Sequence, residues 1–288
     1  MTRGGVAKKV LAVLGALVAV SSFVATMAML PRDARRCPDG LSPRGLRCCG
    51  QGQTAKNGVC VGIAKACSQG LDLVGGFCVA PVKKILVPGG RSMWIPPDER
   101  AGPGQVVQTD SFLIDAYEVN WARWLDCEHQ NACSHVDPGD PGQAVSRVTF
   151  DEAKALCTFA GGTLPSDDQW LRAAIGNDEK RYPWGDPDAL CLRAAYGLAD
   201  GPCARGAETP DTAGARPWGA TPLGIADLAG NVAEWVTGGG APEGQAVVRG
   251  GSFADAYATR LRARSRLLAN VHDRLQTVGF RCVYAVGP

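Results

Sequence analysis

Residues 230–235 read Gly-Asn-Val-Ala-Glu-Trp, and residues 247–253 read Val-Val-Arg-Gly-Gly-Ser-Phe. The glycine at position 230 permits a backbone turn that aims carbonyl oxygens inward, and Glu234 adds a carboxylate four residues later. Oxygen ligands of this kind suit Ca²⁺. The alternative is a Gly-Asn turn that buries Trp235, with Glu234 satisfied by an arginine. The stretch therefore predicts either a calcium site or a buried ion pair.

Length and composition limit the class of protein. The chain has 288 residues, of which 45% are hydrophobic, enough for one sizeable core and a smaller module. Its formal net charge of +2 argues against nucleic acid as a partner, because phosphate binders usually carry a strong basic excess. Glycine (37) and proline (19) are abundant, which predicts a loop-rich fold with short strands.

Residues 1–33 have the pattern of a membrane-targeting segment. Arg3, Lys8 and Lys9 precede an uncharged, mostly apolar run over 10–30 that is long enough to span a bilayer. One interpretation is a signal peptide cleaved near Thr26 and Ala28. We favour an uncleaved signal anchor, since the run is longer than a usual signal core. The basic residues then place the remainder outside the cytoplasm, anchored by this helix, or secreted if it is cleaved.

Residues 34–80 form a cysteine-rich module with a short internal repeat. Three segments of equal length predict three hairpins, each closed by its own disulfide: Cys37 to Cys48, Cys49 to Cys60, and Cys67 to Cys78. Glycine or asparagine stands at each expected turn, where a hairpin needs positive φ. Zinc is the alternative use of clustered cysteines, but no Cys-x-x-Cys pair or nearby histidine supplies the ligand spacing.

The region 84–285 has clear local signals for short elements. Residues 85–90 predict a short strand that ends in a turn, and 112–119 predict a second strand. Asn120 is a candidate N-cap for the helix that follows. Thr149 with Glu152, and Ser166 with Gln169, are capping-box pairs that predict two further helices. Over 182–222 regular periodicity disappears, so other constraints such as disulfides or bound cations must order these residues.

A set of motifs follows in fixed order along the same region. They are Gly162-Thr163-Leu164-Pro165-Ser166, Tyr182-Pro183-Trp184-Gly185, Asp227-Leu228-Ala229-Gly230-Asn231, Val248-Arg249-Gly250-Gly251-Ser252 and Val278-Gly279-Phe280-Arg281-Cys282. Together they resemble the formylglycine-generating enzyme (sulfatase-modifying factor) family. The resemblance implies an α+β fold, an irregular and loop-rich C-type-lectin-like domain with small sheets and two or three short helices. Here the disulfide module and the N-terminal hydrophobic helix would precede it.

The resemblance also implies roles for individual residues. The calcium ligands would be the backbone oxygens of Ala229, Gly230 and Val232 and the side chain of Glu234. A second family calcium site is degraded, because Ala195 stands where its asparagine is expected. A structural disulfide would join Cys157 to Cys282, with Cys127 to Cys133 and Cys191 to Cys203 as local bridges.

The family's catalysis uses two cysteines that bind copper(I) as thiolates shortly after the Gly-Gly-Ser motif. This chain has no cysteine there: Asp255 stands at the first position, so no copper is expected. Trp235 and Ser252 match residues of the family's oxygen pocket. We therefore expect a non-catalytic binding or scaffolding module with a protein or small-molecule ligand. The alternative is an enzyme of different chemistry that uses Asp255 and an arginine.

Six arginines near the C-terminus invite an anion-binding interpretation: Arg260, Arg262, Arg264, Arg266, Arg274 and Arg281. Guanidinium groups pair well with carboxylates and sulfates. The other interpretation is that they meet acidic neighbours on a solvated face. The three histidines (His129, His135, His272) are isolated in sequence, which argues against a histidine-based metal site.

Overall fold

The computed structural model describes residues 41–44, 47–56, 59–67, 70–94, 105–178, 180–204 and 206–287. The predicted anchor or signal peptide (1–33) and Cys37 lie outside these residues, as do the side chains of Cys48, Cys49 and Cys60. The first two predicted disulfides therefore stay predictions. No helix in the described ranges is long and apolar enough to cross a membrane.

Three antiparallel hairpins follow one another in the cysteine-rich module, as its repeat predicts. They pair β1 (Leu41–Arg44) with β2 (Arg47–Gly50), β3 (Thr54–Lys56) with β4 (Val59–Val61), and β5 (Asp72–Val74) with β6 (Phe77–Val79). The last turn uses Gly75 and Gly76, both with positive φ. Cys67 is bonded to Cys78, which closes this third hairpin.

The third hairpin packs directly on the domain that follows. A Cβ on Gly142 would lie 2.0 Å from the carbonyl oxygen of Cys78, so only glycine lets the two backbones approach this closely. Asn120 donates from Nδ2 to the carbonyl oxygen of Ala80 at 2.8 Å. Contacts therefore cross the boundary that the sequence predicts between residues 80 and 84.

Two small sheets and a hairpin frame the domain. In the three-stranded sheet, β10 (Phe112–Asp115) lies between β7 (Lys84–Val87) and β15 (Val283–Ala285), antiparallel to both. The four-stranded sheet has the order β13 (Arg266–Asn270), β12 (Gln245–Arg249), β11 (Ala233–Val236) and β14 (Val278–Gly279), and β11 with β14 is its one parallel pairing. The hairpin consists of β8 (Gly90–Trp94) and β9 (Gln105–Thr109). β10 ends at Asp115, four residues before the end of the strand predicted over 112–119.

Three short helices lie beside the sheets: α1 (Trp121–His129), α2 (Phe150–Phe159) and α3 (Asp167–Ile175). Their predicted starts are confirmed. Asn120 Oδ1 accepts from the N–H of Arg123 at 3.0 Å. Thr149 with Glu152, and Ser166 with Gln169, form complete capping boxes in which each side chain accepts from the other residue's backbone N–H. Local sequence therefore decides where these helices begin.

Buried side chains fall into three clusters. The first joins α1, α2 and the four-stranded sheet around Trp124, Trp235 and Phe280. The second packs α3 against both sheets, with Trp170 as its largest member. The third lies mainly in the irregular region, where the described residues of 182–222 contain only a short 3-10 helix (Pro217–Gly219).

Disulfides tie these parts together. Cys127 is bonded to Cys133, Cys157 to Cys282 and Cys191 to Cys203, as expected. Among the cysteines whose side chains the structure describes, none is free. The Cys157–Cys282 bridge links α2 to the C-terminal strand region across 125 residues, and the Cys191–Cys203 bridge closes a loop in the irregular region.

The substitution Thr149→Ala tests the capping box of α2. It leaves the N–H of Glu152 without its side-chain acceptor, so we expect the free energy of unfolding to fall by about 1 kcal/mol. Guanidinium denaturation measures the change. Thr158→Ala is the matched control, because that exposed hydroxyl only bonds back to the carbonyl of Lys154 at 2.9 Å in the same helix. Equal losses in the two variants would contradict this assignment.

Candidate functional site

Asp255, which stands where the resemblance implies the first catalytic cysteine, closes a tight turn. Its Oδ2 accepts hydrogen bonds from the backbone N–H of Ser252 at 2.7 Å and from the Ser252 hydroxyl at 2.9 Å. The N–H of Phe253 donates to the carbonyl oxygen of Asn231 at 2.8 Å. The carboxylate thus fixes the turn after the Gly-Gly-Ser motif, and Ser252 itself is buried.

Trp235 lies in the core. Its indole Nε1 donates to the carbonyl oxygen of Val148 at 3.2 Å, and its ring meets Phe150 edge-on with centroids 5.9 Å apart. The side chain has no exposed surface. The structure therefore brings Ser252 and Asp255 together but uses Trp235 to pack β11 against α2.

Glu234 forms a buried ion pair with Arg281. The guanidinium donates from Nε to both carboxylate oxygens at 2.8 and 3.0 Å, and from Nη2 to Oε1 at 2.7 Å. The indole of Trp170 donates to Oε2 at 2.7 Å. Both charged residues are fully buried. Burial alone would lower the pKa of Arg281, but attraction to Glu234 more than offsets it and raises the pKa.

These contacts do not fit Glu234 as a calcium ligand. Both carboxylate oxygens already accept hydrogen bonds from Arg281, whose positive charge repels a cation at the same oxygens. The described residues contain no group of three or more His, Cys, Asp and Glu that could hold a metal. The geometry matches the second of the two sequence-based interpretations, in which an arginine satisfies Glu234. Calcium binding itself stays a prediction.

The backbone around Gly230 serves close packing. Gly230 has φ +82°, and a Cβ there would lie 2.3 Å from the carbonyl oxygen of Ala195. That oxygen accepts from the N–H of Asn231 at 2.8 Å, and the N–H of Gly230 donates to Gly250 at 2.9 Å. The glycine therefore allows this loop to pack against the irregular region.

A buried carboxylate that the sequence analysis missed lies next to this loop. Glu118 accepts from Asn231 Nδ2 at 2.5 Å and from the N–H of Val232 at 3.0 Å. Asn231 Oδ1 in turn accepts from the N–H of Asp211 at 2.7 Å. The sequence signal that points to this residue is a glutamate inside the apolar run 112–119, because a carboxylate buried in such a run needs hydrogen-bond donors or a counter-charge.

Glu118 belongs to a larger buried charge cluster, which comprises Glu118, Asp211, Asp227, Glu234, Arg216 and Arg281. Burial, with repulsion from Asp227 and Glu234, raises the pKa of Glu118 well above its ordinary value. Burial likewise raises the pKa of Asp227. Four carboxylates thus share two guanidinium groups, so the cluster favours protonation of an acid.

Arg216 is the second arginine of the cluster. Its Nη1 pairs with Asp211 Oδ2 at 2.5 Å, and its Nε donates to the carbonyl oxygen of Cys191 at 2.9 Å. Burial lowers the pKa of Arg216 to about 10. Through its contacts with Asp211 and Cys191, the Arg216 side chain links the cluster to the disulfide-closed loop of the irregular region.

The six C-terminal arginines divide into two groups. Arg266, Arg274 and Arg281 each pair with a carboxylate. Arg274 does so on an exposed face, as the solvated-face interpretation expects, whereas the Arg281 pair is fully buried. Arg260 and Arg262 are exposed and have no carboxylate partner within the described parts of the chain, and Arg264 Nε donates to the carbonyl of Met93 at 3.5 Å. Together with the strongly exposed Tyr257 (75%), Arg260 and Arg262 lie within seven residues after Asp255. We call the exposed surface of Tyr257, Arg260 and Arg262 the arginine face.

The substitution Arg281→Met tests the ion pair. It leaves Glu234 buried without its counter-charge, so we expect the free energy of unfolding to fall by about 3–5 kcal/mol. The double variant Glu234→Gln/Arg281→Met should lose less than the sum of the single variants, because the orphaned charge is gone. Denaturant unfolding of the three variants measures this coupling. Additive losses would contradict it.

A chelation experiment distinguishes between the two roles considered for Glu234, an ion pair with Arg281 and a calcium ligand. Because Arg281 already neutralises Glu234, we expect Glu234→Gln to leave any effect of excess chelator on the melting temperature unchanged. A fall that Ca²⁺ reverses, and that Glu234→Gln abolishes, would show that the cation competes successfully with the arginine.

The raised pKa of Glu118 predicts a pH dependence of stability. The folded protein keeps this proton longer than the unfolded chain, so the stabilisation is complete below the ordinary pKa of 4.5 and is lost as pH rises through the folded pKa. We expect the stability of the unsubstituted protein, relative to Glu118→Gln, to fall over that range. Denaturant unfolding across a pH series measures it, and a constant difference would contradict the expectation.

Comparison with known proteins identifies the family to which the chain belongs. The family model for the sulfatase-modifying factor enzyme 1-like domain matches residues 73–286. Over 107 residues the chain is 34% identical to hercynine oxygenase of Mycolicibacterium thermoresistibile, a match that covers 36% of this chain and 22% of that protein. Over 173 residues it is 30% identical to inactive C-alpha-formylglycine-generating enzyme 2 of Mus musculus, covering 52% and 54%.

The chain thus spans between about a fifth and about half the length of these curated relatives. Among solved structures, Treponema denticola variable protein 1 superposes with a TM-score of 0.58 at 18% identity, covering 75% of this chain and 98% of that one, which supports the fold alone. The family match begins inside the third hairpin, which packs on the domain. The chain belongs to the sulfatase-modifying factor enzyme 1-like family, the family of the formylglycine-generating enzymes.

Proposed function

We propose that the chain is a non-catalytic binding or scaffolding module of this family, exported and held at the membrane. The observation that carries the proposal is Asp255 at the position of the first catalytic thiol. Its carboxylate is engaged with the backbone and hydroxyl of Ser252, so it serves to shape a turn. A hard carboxylate is also a poor replacement for the soft thiolates that copper(I) needs.

The state of the cysteines supports the proposal. Every cysteine whose side chain the structure describes is bonded to another cysteine. A disulfide sulfur is not a thiolate and cannot replace the missing catalytic pair. The mouse relative, whose name calls it inactive, provides a precedent for a family member without formylglycine synthesis.

The arginine face is the surface best suited to a ligand. The backbone next to it is held at Ala258, whose carbonyl accepts from the Tyr182 hydroxyl at 3.3 Å, and the Tyr182 ring stacks on Trp184 with centroids 5.0 Å apart. Two guanidinium groups without carboxylate partners among the described residues favour a ligand with carboxylate or sulfate groups. We therefore place the binding function here.

The second candidate is a divergent enzyme that uses the same surface. The match to hercynine oxygenase favours it, because that relative's name denotes oxidative chemistry. Asp255 is half-buried and lies five residues before the exposed Arg260. The second candidate function uses these two polar groups on one substrate. In this case Asp255→Asn should abolish turnover while the fold is retained.

A peptide assay tests the proposal. The purified protein is incubated with copper, oxygen and a Cys-x-Pro-x-Arg peptide, the substrate motif that the family resemblance implies. We expect no aldehyde by mass spectrometry, because no cysteine follows the Gly-Gly-Ser motif and each cysteine whose side chain the structure describes is in a disulfide. A family enzyme that retains both cysteines is the positive control, and any turnover by this chain would overturn the proposal.

Cross-linking in the producing cells tests the binding surface. We expect a partner that co-purifies with the unsubstituted protein to be lost from Arg260→Gln/Arg262→Gln. The matched control is Lys83→Gln/Lys154→Gln, which removes the same charge from exposed sites with no ion pair in the described structure. Equal recovery from both variants would place the binding surface elsewhere.

A further inference from the structure

Strand β13 is an open edge of the four-stranded sheet. It pairs with β12 on one side, and no strand in the described parts of the chain pairs with it on the other. Its sequence is Arg266-Leu267-Leu268-Ala269-Asn270. Leu267 is 41% exposed and Leu268 50%. The strand therefore presents apolar side chains to solvent along an unpaired edge.

The register of β13 shows which of its backbone groups face outward. The N–H of Val271, the residue after the strand, donates to the carbonyl oxygen of Gly244 at 3.0 Å, on the β12 side. Alternate residues of an antiparallel strand turn their N–H and C=O groups to opposite edges. Leu268, three residues before Val271, therefore directs both groups away from β12. No backbone group of the described residues bonds to them there.

The other three edges of the two sheets are protected against pairing. Beyond β15, Thr163 and Val283 exchange two backbone hydrogen bonds, at 2.8 and 2.9 Å. β14 has only two residues, and both are buried. β7 begins at Lys84 and is followed by Pro88, and lysine and proline at an edge oppose pairing with another chain. β13 contains neither lysine nor proline.

The one charge on β13 is balanced within the domain. Arg266 Nη1 lies 3.7 Å from Asp167 Oδ2, and Arg266 Nη2 donates to the carbonyl oxygen of Gly239. Residues 267–270 carry no charge. The edge thus offers apolar side chains and backbone groups, which suit an uncharged strand such as β13 itself.

We propose that β13 pairs with β13 of a second copy of this chain, antiparallel about a two-fold axis at Leu268. Because Leu268 faces outward in both copies, the two opposed residues exchange both of their backbone hydrogen bonds. This register places Arg266 opposite Asn270 of the second copy, so no like charges meet. Leu267 then lies opposite Ala269. A register centred on Arg266 would oppose two guanidinium groups, and one centred on Asn270 would leave most of the strand without a partner.

The proposed register also continues a buried row of side chains. Val236 of β11, Val247 of β12 and Leu268 lie side by side on one face of the sheet. Val236 and Val247 are fully buried, whereas Leu268, at the end of the row, is half-exposed. In the dimer, Leu268 of each copy covers that of the other. Such a two-fold contact uses the same surface on both copies and closes as a dimer.

Pairing of one short strand is a small contact. Stable protein interfaces bury about 800 Å² on each partner, and smaller ones are typical of weak, transient association. We therefore expect the dimer to form reversibly as the protein concentration rises.

Disulfide trapping on the full chain in detergent micelles tests the register. Leu268→Cys places two thiols opposite each other with Cα atoms about 5.5 Å apart, a separation that a disulfide spans. Under mild oxidation we expect a covalent dimer to form several-fold faster than from Leu86→Cys. That variant is the matched control, because Leu86 is an equally exposed leucine (49%) on the protected edge strand β7. Equal rates would overturn the proposal.

Sedimentation equilibrium measures the association itself. Leu268→Lys places like charges at the axis, so we expect it to stay monomeric at concentrations where the unsubstituted chain forms dimers. Leu86→Lys should leave the dimer unchanged. All three proteins keep residues 1–40, so association through that segment is common to them. An unsubstituted chain that is monomeric at every concentration would contradict the proposal. So would a different protein that binds the monomer and is lost from Leu268→Lys, because its strand would then occupy the edge.

Discussion

The buried ion pair of Glu234 and Arg281 joins several parts of the domain at one point. Glu234 comes from β11 and Arg281 follows β14, while Trp170 of α3 donates to the same carboxylate. Arg281 also donates to the carbonyl oxygens of Asp115 and Ala226, at 3.1 and 2.8 Å. Two sheets, a helix and the loop before β11 thus depend on one guanidinium. Removal of either charge leaves the other buried without a partner.

The motif Gly-Asn-Val-Ala-Glu-Trp therefore builds the scaffold. Gly230 permits close approach to Ala195, Asn231 connects Glu118 to Asp211, and Trp235 fills the core. Each of these roles persists whatever chemistry follows Ser252. Where the family resemblance implies a thiolate pair, this chain has an aspartate-closed turn on the same frame, since fold and function are separable.

The capping boxes and the hairpin turns could be predicted because each depends on residues a few positions apart. Thr149 and Glu152 lie within one helical turn, and Gly75 with Gly76 meet the positive φ of a tight hairpin. The family motifs added the fold class and the Cys157–Cys282 bridge. The role of Glu234 was left open between a cation and an arginine, and the burial of Glu118 was missed.

The sequence by itself determined the local elements, the family, and the absence of cysteine after Ser252. The tertiary structure decided which charges meet. Arg281 lies 47 residues from Glu234, and Asn231 lies 113 residues from Glu118, so no local pattern reports either contact. It also decided that Arg266, Arg274 and Arg281 find carboxylates while Arg260 and Arg262 remain exposed. The physical reason is that a buried charge is stable only beside its partner, and chain folding alone brings such partners together.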